Sequence, residues 1–223
     1  MDWQAIRLSL KLAALTTLAL MALGLPLAHW LAFSRARWKF LAEAVVALPL
    51  VLPPTVLGFY LLIALGPRSP LGWLVQAAGL RGLPFTFQGL LVASVLYSLP
   101  FAVQPMAASF ASVDRKLLEA SQCLGVSPLA TFLRVILPLS WAGVAAGAVL
   151  SFAHTLGEFG VVLMVGGNIP GETRMVSIAI YDQVEALDYA AAGRTSLLLL
   201  GVSFAILVLA SWLRRRKGSW LLH

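Results

Sequence analysis

Two ionisable residues, His154 and Glu158, lie close together near the end of an otherwise apolar stretch. Their i, i+4 spacing would place the imidazole and the carboxyl on one face of a helix. Such a pair could act as a proton relay or as half of a metal site. We interpret it instead as a structural hydrogen-bonded pair, or as a gate element at the bend marked by Gly157 and Gly160.

The other residues of reactive types do not form clusters in the sequence. Cys123 is the only cysteine, which excludes a disulfide framework, and no Cys/His cluster has metal-site spacing. We expect no chemistry at His29 or Cys123. Neither a Ser/His/Asp set nor a G-x-x-x-x-G-K-[ST] loop occurs. The sequence therefore predicts no metal, no cofactor bound by this chain and no enzymatic activity, and any ATP must be hydrolysed by another chain.

The elements that position these residues belong in a lipid bilayer. Of 223 residues, 60% are hydrophobic and 11% are charged, whereas soluble domains carry about 25% charged residues. The first apolar run is too long for a signal peptide and lacks a clear cleavage site. We predict one all-α, polytopic membrane domain over residues 1–223. Five stretches could each cross about 30 Å of hydrocarbon. They are Leu12 to Phe33, Ala44 to Pro67, residues 89–110 within Gly82 to Val113, Val135 to Gly157, and Thr195 to Leu213.

Lysine and arginine divide unequally between the two membrane faces. One face collects ten: Arg35, Arg37, Lys39, Arg115, Lys116, Arg134, Arg214, Arg215, Arg216 and Lys217. The other has six: Arg7, Lys11, Arg68, Arg81, Arg174 and Arg194. The positive-inside rule makes the first face cytoplasmic, with the N-terminus outside and the C-terminus inside. The net charge of +7 is spread over membrane-edge clusters, which argues against nucleic acid as a partner.

Helix breakers interrupt the predicted spans. We interpret Pro53 and Pro54 as a kink that lines a cavity, because broken backbone survives at membrane depth only beside protein or water. Pro100 and Pro105 are interpreted as ordinary prolines of a transmembrane helix. The segment Thr173 to Asp188 is too charged to cross. It is predicted to lie flat at the outer surface on four apolar residues at helical spacing, with Asp182, Glu185 and Asp188 on its opposite face. The four are Val176, Ile180, Val184 and Leu187.

A polar island over residues 112–134 separates two apolar stretches. Ser112 is predicted to cap a first helix and Gly125 to take the left-handed conformation just after it. Ser127 is predicted to cap a second helix that has Pro128 at its first position. Small residues at Ala120 and Ser121 would leave a shallow surface for a partner. The island therefore reads as a two-helix elbow that faces a soluble partner, although an ordinary loop would show the same periodicity.

Part of this elbow resembles a known family. Glu119-Ala120-Ser121, then Gly125 and then Ile136-Leu137-Pro138 resemble the Glu-Ala-Ala loop of prokaryotic ABC importer permeases, with Ser121 in place of the second alanine. The resemblance implies the type I importer permease fold. It also implies that the elbow is the coupling helix that docks on an ATP-hydrolysing subunit.

Three further segments resemble the permeases for tetrahedral oxyanions, and most closely the molybdate permeases. They are Leu48 to Gly58 with Pro53, Pro54, Thr55 and Gly58; Gly157-Glu158-Phe159-Gly160; and Asn168 to Arg174 with Pro170, Gly171 and Thr173. The resemblance implies that the first two segments form the translocation path or gate, and that the third is a periplasmic loop. It further implies an inner-membrane homodimer with two cytoplasmic ATPases, which use ATP and Mg²⁺, and a periplasmic molybdate-binding protein.

Two alternatives remain at this stage. Sulfate or tungstate could be the substrate instead, because both are tetrahedral dianions like molybdate and the uncharged spans do not distinguish among the three. An ion-coupled secondary transporter would need internal repeats and ionisable residues deep in the spans, and only Glu158 approaches that pattern. No Lys or Arg lies within Leu12 to Phe33 or Val135 to Gly157. We therefore expect a conduit that attracts anions through backbone N–H groups and helix N-termini, with selectivity mainly in the binding protein.

Overall fold

The computed structural model describes residues 2–77 and 82–218, with side chains except those of residues 76 and 209–218. Arg81, which we assigned to the outer face, lies outside the described residues, as do the side chains of Arg214 to Lys217. Every regular element in the described part is helical. The elements are α1 (Trp3–Phe33), α2 (Lys39–Val51), α3 (Pro54–Leu65), α4 (Pro70–Ala77), α5 (Phe87–Ala111), α6 (Arg115–Cys123), α7 (Pro128–Thr131), a π-helix (Phe132–Ile136), α8 (Leu137–Leu139), α9 (Trp141–Gly157), α10 (Gly160–Gly166), α11 (Val176–Glu185) and α12 (Tyr189–Gly218).

Three of the described helices, α1, α5 and α12, are long and apolar enough to cross a membrane unbroken. The predicted second span is instead a bent pair, α2 and α3, whose axes differ by 116°. The predicted fourth span is also bent, by 75°, between Pro128–Leu139 and α9. Five crossings therefore result only if each bent pair counts as one span.

Helix α1 begins at Trp3, nine residues before the start of the predicted span Leu12 to Phe33. The Asp2 carboxylate starts the helix by accepting the amide hydrogen of Ala5 at 2.9 Å. Arg7 and Lys11 are thus part of the helix, and the 31 residues extend over about 45 Å at 1.5 Å per residue. The two ends of α1 can consequently contact features at opposite ends of the molecule.

The core lies where α1, α5 and α9 pack together. Its fully buried side chains include Leu20, Val103, Met106 and Phe110. Pro100 and Pro105 lie inside α5 without ending it, in agreement with the interpretation of both as ordinary transmembrane prolines. This three-helix core supports the elbow at one end and the broken helices at the other.

The amphipathic segment is helical, but its buried face differs from the predicted one. The helix α11 ends at Glu185, and Leu187 then adopts a left-handed conformation with φ of 60°. Leu187 therefore leaves the predicted apolar stripe and is 71% exposed, and Val184, which is still within α11, is 43% exposed. The residues of α11 that are buried are Val176, Ile178 and Ala179.

Candidate coupling elbow and translocation path

The first helix of the elbow, α6, begins two residues later than predicted. Ser112 adopts helical angles and its amide still bonds to Ala108, so it belongs to the end of α5 and cannot act as the predicted N-cap. Asp114 has the extended conformation that an N-cap needs, and its Oδ1 accepts the Lys116 amide hydrogen at 2.9 Å. The one residue between Ser112 and Asp114 is Val113, which is buried in the core cluster and fixes the elbow to the bundle.

The corner of the elbow agrees with the sequence prediction. Gly125 has φ of 70°, a left-handed conformation that strains any residue with a Cβ. Beyond it, the hydroxyl of Ser127 accepts the Ala130 amide hydrogen at 3.3 Å, and Pro128 occupies the first position of α7. The chain thus reverses within a few residues.

Ser121 does not contribute to a docking surface as predicted. Its side chain is buried, and its hydroxyl lies 2.8 Å from that of Thr131. The two hydroxyls join α6 to α7 and hold the elbow closed. Glu119 and Ala120, by contrast, are exposed.

The outer surface of the elbow carries large apolar side chains that the bundle leaves uncovered. Leu124 is 81% exposed and Leu129 is 67% exposed, and Leu117 and Leu133 are also exposed. Leu117 and Leu124 lie in or next to α6, outside the candidate spans, so lipid does not account for their exposure, whereas Leu129 and Leu133 lie in Pro128–Leu139, one half of the bent fourth span. A cluster of uncovered leucines beside a polar helix is typical of a protein-binding surface.

The elbow is firmly joined to the core of the bundle. The π-helix that follows α7 ends at Ile136, which is buried in the core cluster, and Pro138 lies in the short helix α8. Phe132 packs edge-on against Phe110 and against His29. His29 therefore has a packing contact at this joint.

At the 75° bend, two serines connect the elbow to α5. The Ser140 hydroxyl donates to the Ser109 carbonyl oxygen at 3.1 Å, and the Ser109 hydroxyl donates to the Ser140 carbonyl at 3.4 Å. Ser140 is buried. A displacement of the elbow would therefore be transmitted to both α5 and α9. The sequence did not identify this joint, since isolated serines in apolar helices carry no distinguishing pattern.

The two predicted path segments meet in the structure. Pro53 caps α3 in an extended conformation and Pro54 starts the helix, which produces the predicted kink. Across from it, a Cβ built on Gly160 would lie 2.6 Å from the Pro54 Cβ, and one built on Gly58 would lie 2.7 Å from the Met164 Cβ. Glycines at both positions therefore allow α3 and α10 to touch. Thr55 and Gly157 remain exposed beside this contact.

Glu158 acts as a local helix cap, and the predicted pair with His154 is not formed. Its Oε1 accepts the Val161 amide hydrogen at 2.8 Å, while the Ser177 hydroxyl donates to its carbonyl oxygen at 2.6 Å. The backbone of Glu158 is extended, so the residue has left the helix that carries His154 and the i, i+4 geometry no longer applies. Phe159 follows it as the N-cap of α10.

His154 belongs to a different polar cluster, which sequence reasoning missed. Its Nδ1 lies 2.9 Å from the Ser98 hydroxyl, which in turn lies 2.9 Å from the Thr155 hydroxyl. The Thr155 hydroxyl donates to the Ser151 carbonyl oxygen. Because each hydroxyl has one hydrogen, Ser98 donates to Thr155 and accepts from His154, which places a proton on Nδ1. The cluster ties α5 to α9 just before the break at Gly157.

The predicted periplasmic loop is held against α11. Asn168 donates its amide hydrogens to the Asp182 carboxylate at 2.8 Å and accepts from Arg174 Nε at 2.6 Å. Thr173 is buried, and its hydroxyl accepts the Ile169 amide hydrogen. In α11 itself, the hydrogen bond from the Tyr181 hydroxyl to Glu185 raises the pKa of the phenol.

The loop and the elbow lie at opposite ends of α1. Gly171 has φ of 81° and approaches Gln4, near the start of α1, and Pro170 beside it is exposed. The elbow contacts α1 through His29, near its end. In the described part of the chain, no three His, Cys, Asp or Glu side chains are grouped so that they could hold a metal ion.

Comparisons with known proteins identify the class of this architecture. The family model described as "Binding-protein-dependent transport system inner membrane component" matches residues 10–218. The molybdenum transport system permease protein ModB of Azotobacter vinelandii is 56% identical over 191 residues, which cover 86% of this chain and 84% of that protein. The ModB of Escherichia coli strain K12 is 34% identical over 96% of this chain and 94% of its own length.

Solved structures of ABC importers share the fold. The bacterial ABC transporter that imports the acidic polysaccharide alginate has a TM-score of 0.79 at 19% identity, covering 96% of this chain and 78% of that one. The MetNI methionine transporter in an inward-facing conformation has a TM-score of 0.77 at 16% identity, covering 97% and 96%. The predicted all-α importer-permease fold is thereby confirmed. By the family model and by these identities, the chain belongs to the inner membrane components of binding-protein-dependent transport systems.

Proposed function

We propose that this chain is the membrane-spanning subunit of an ATP-driven importer that passes molybdate from a periplasmic binding protein into the cytoplasm. The observation that carries the choice of substrate is the high identity to a molybdenum permease over most of both chains. The uncharged core of the bundle is compatible with any tetrahedral dianion. The substrate assignment therefore rests on the relatives, whereas the mechanism rests on the geometry.

The proposed assembly contains two copies of this chain, two cytoplasmic ATPases and one periplasmic binding protein. ATP and Mg²⁺ would be bound by the ATPases. The charge pattern supports an inner-membrane, multi-pass orientation with the N-terminus outside and the C-terminus inside. The basic residues at the two ends of α1 follow this pattern, with Arg7 and Lys11 at one end and Arg35 to Lys39 at the other.

Coupling would proceed from the elbow to the broken helices. The ATPase would bind the exposed leucines around Glu119 and Ala120, and closure of the ATPase dimer would displace the elbow. The hydroxyl pair within the elbow keeps α6 and α7 together, so the displacement would reach the 75° bend and its serine joint. Motion of α9 would then change the contact between α3 and α10, which opens the path to one face at a time.

The path would conduct the anion without holding it tightly. The predicted attraction by helix N-termini is modified at α10, because the Glu158 carboxyl already accepts the Val161 amide hydrogen at that terminus. An acidic group at this position reduces the attraction that the terminus would exert on a dianion. Selection of molybdate would therefore take place mainly in the binding protein, as the sequence suggested.

The experiment that tests the function uses the reconstituted complex. Binding protein loaded with molybdate is expected to stimulate ATP hydrolysis, and sulfate-loaded or tungstate-loaded protein serves as the comparison. Preferential stimulation by sulfate would refute the molybdate assignment and leave the importer mechanism intact. Uptake that continues without ATP and follows an ion gradient would refute the importer itself in favour of a secondary transporter.

A further inference from the structure

Two adjoining grooves at the elbow end of the bundle together make an amphipathic channel. The first, of about 410 Å³, lies between α1, α2 and α5 and is lined mainly by apolar side chains such as Leu31, Val46 and Ala107. The second, of about 340 Å³, lies between the end of α1 and the inner face of α6. Both grooves are lined by Ala32 and Lys39, so they adjoin at these two residues. We propose that this channel binds an anionic phospholipid, with an acyl chain in the first groove and the phosphate headgroup in the second.

The headgroup end carries unpaired positive charge. Arg35, Lys39 and Arg115 line the second groove together with one acid, Glu119. Lys39 is already paired with Glu43 at 3.4 Å. Among the described residues, neither arginine has a carboxylate within ion-pair distance. Over both grooves, three basic groups face two acidic ones, and the remaining single positive charge matches one phosphodiester.

The apolar end has the shape that an acyl chain needs. Helices α1 and α5 are long and apolar enough to span, so the apolar part of the first groove, along the final turns of both helices, would adjoin the hydrocarbon. Ala47, Ala107, Ala108 and Ala111 leave its wall recessed, and only Gln104 adds a neutral polar group. No water is available at that depth to fill an apolar groove, and basic clusters at the membrane edge attract anionic headgroups. The position of Arg115 and Glu119 on α6 would make the lipid a brace beneath the elbow.

The test measures the lipid that stays with the purified permease. The full chain is reconstituted in nanodiscs of phosphatidylglycerol and phosphatidylcholine, extracted into mild detergent, and assayed by native mass spectrometry. Wild type is expected to retain phosphatidylglycerol in preference to phosphatidylcholine. The double variant Arg35→Gln, Arg115→Gln is expected to retain roughly 25-fold less, since each basic residue near an anionic surface contributes about a factor of five.

Matched variants distinguish the contribution of the headgroup charges from that of the acyl-chain groove. Arg37→Gln with Arg134→Gln removes the same charge from exposed residues that do not line either groove, and it should retain lipid as wild type does. Ala107→Trp fills the apolar groove and should lower retention with every charge in place. The four substituted arginines are exposed, so their replacement by glutamine should not affect folding.

Two results would overturn the proposal. One is equal retention of phosphatidylglycerol by wild type and the Arg35/Arg115 variant. The other is efficient disulfide cross-linking between two copies through Val46→Cys or Ala107→Cys in a Cys123→Ser background, which would place a second chain in the groove. The retention assay requires neither molybdate nor ATP, so its failure would not affect the proposed transport function.

Discussion

Replacing Gly160 by alanine tests whether α3 and α10 depend on direct contact. The added Cβ would lie 2.6 Å from the Pro54 Cβ, whereas carbon atoms in contact prefer about 3.5–4.0 Å. The helices must therefore separate by about 1 Å. Overpacking of this kind costs about 1–3 kcal/mol, and the reduced freedom of the unfolded chain returns up to about 1 kcal/mol. We expect a net loss of about 1–2 kcal/mol.

Gly157 provides the matched control, because a Cβ built there meets nothing within 4 Å. Thermal unfolding of the purified permease should show a midpoint lowered by about 2–8 °C for Gly160→Ala and not lowered for Gly157→Ala. Molybdate uptake by cells that carry the variant as their sole permease should fall for Gly160→Ala alone. If both alanine variants unfold and transport alike, the close contact between the two breaks is wrong.

Three other substitutions test the elbow and the cap of α10. Ser121→Ala leaves the Thr131 hydroxyl buried without its partner and should cost about 1–3 kcal/mol in thermal unfolding, whereas Ala120→Ser on the exposed face should cost nothing measurable. Gly125→Val forces a branched side chain into φ of 70° and should uncouple ATP hydrolysis from uptake while the spans stay inserted; normal coupled import would contradict the role of the corner. Glu158→Gln keeps an acceptor oxygen for the Val161 amide and should fold normally but transport less, and unchanged uptake would remove this carboxyl from the mechanism.

The elbow could be predicted in detail because local chemistry determines it. A glycine that must be left-handed and a Ser-Pro helix start are both encoded within a few residues, and both occur in the structure. The prediction of Ser112 as an N-cap is wrong because it concerns a helix boundary. Whether a helix continues through a serine depends on its neighbours in the bundle, and the buried Val113 that anchors this junction is not distinguishable by type from exposed valines.

The site at the broken helices could be predicted only as separate segments. Proline and glycine marked where the helices break, but the contact between Pro54 and Gly160 is long-range and has no local signature. The predicted pair of His154 and Glu158 failed for a related reason. The predicted pair assumes helical spacing across Gly157, but the helix ends there. The Glu158 carboxyl therefore caps the next helix instead.

The proposed mechanism requires that the elbow faces the cytoplasm, binds the ATPase and moves the spans. Cys123 lies at the end of α6, is exposed and is the only thiol of the chain, so it can report on this directly. A membrane-impermeant maleimide should label Cys123 in inside-out vesicles and not in right-side-out vesicles, and bound ATPase should protect it. Labelling of Cys123 from the external side alone would contradict the account.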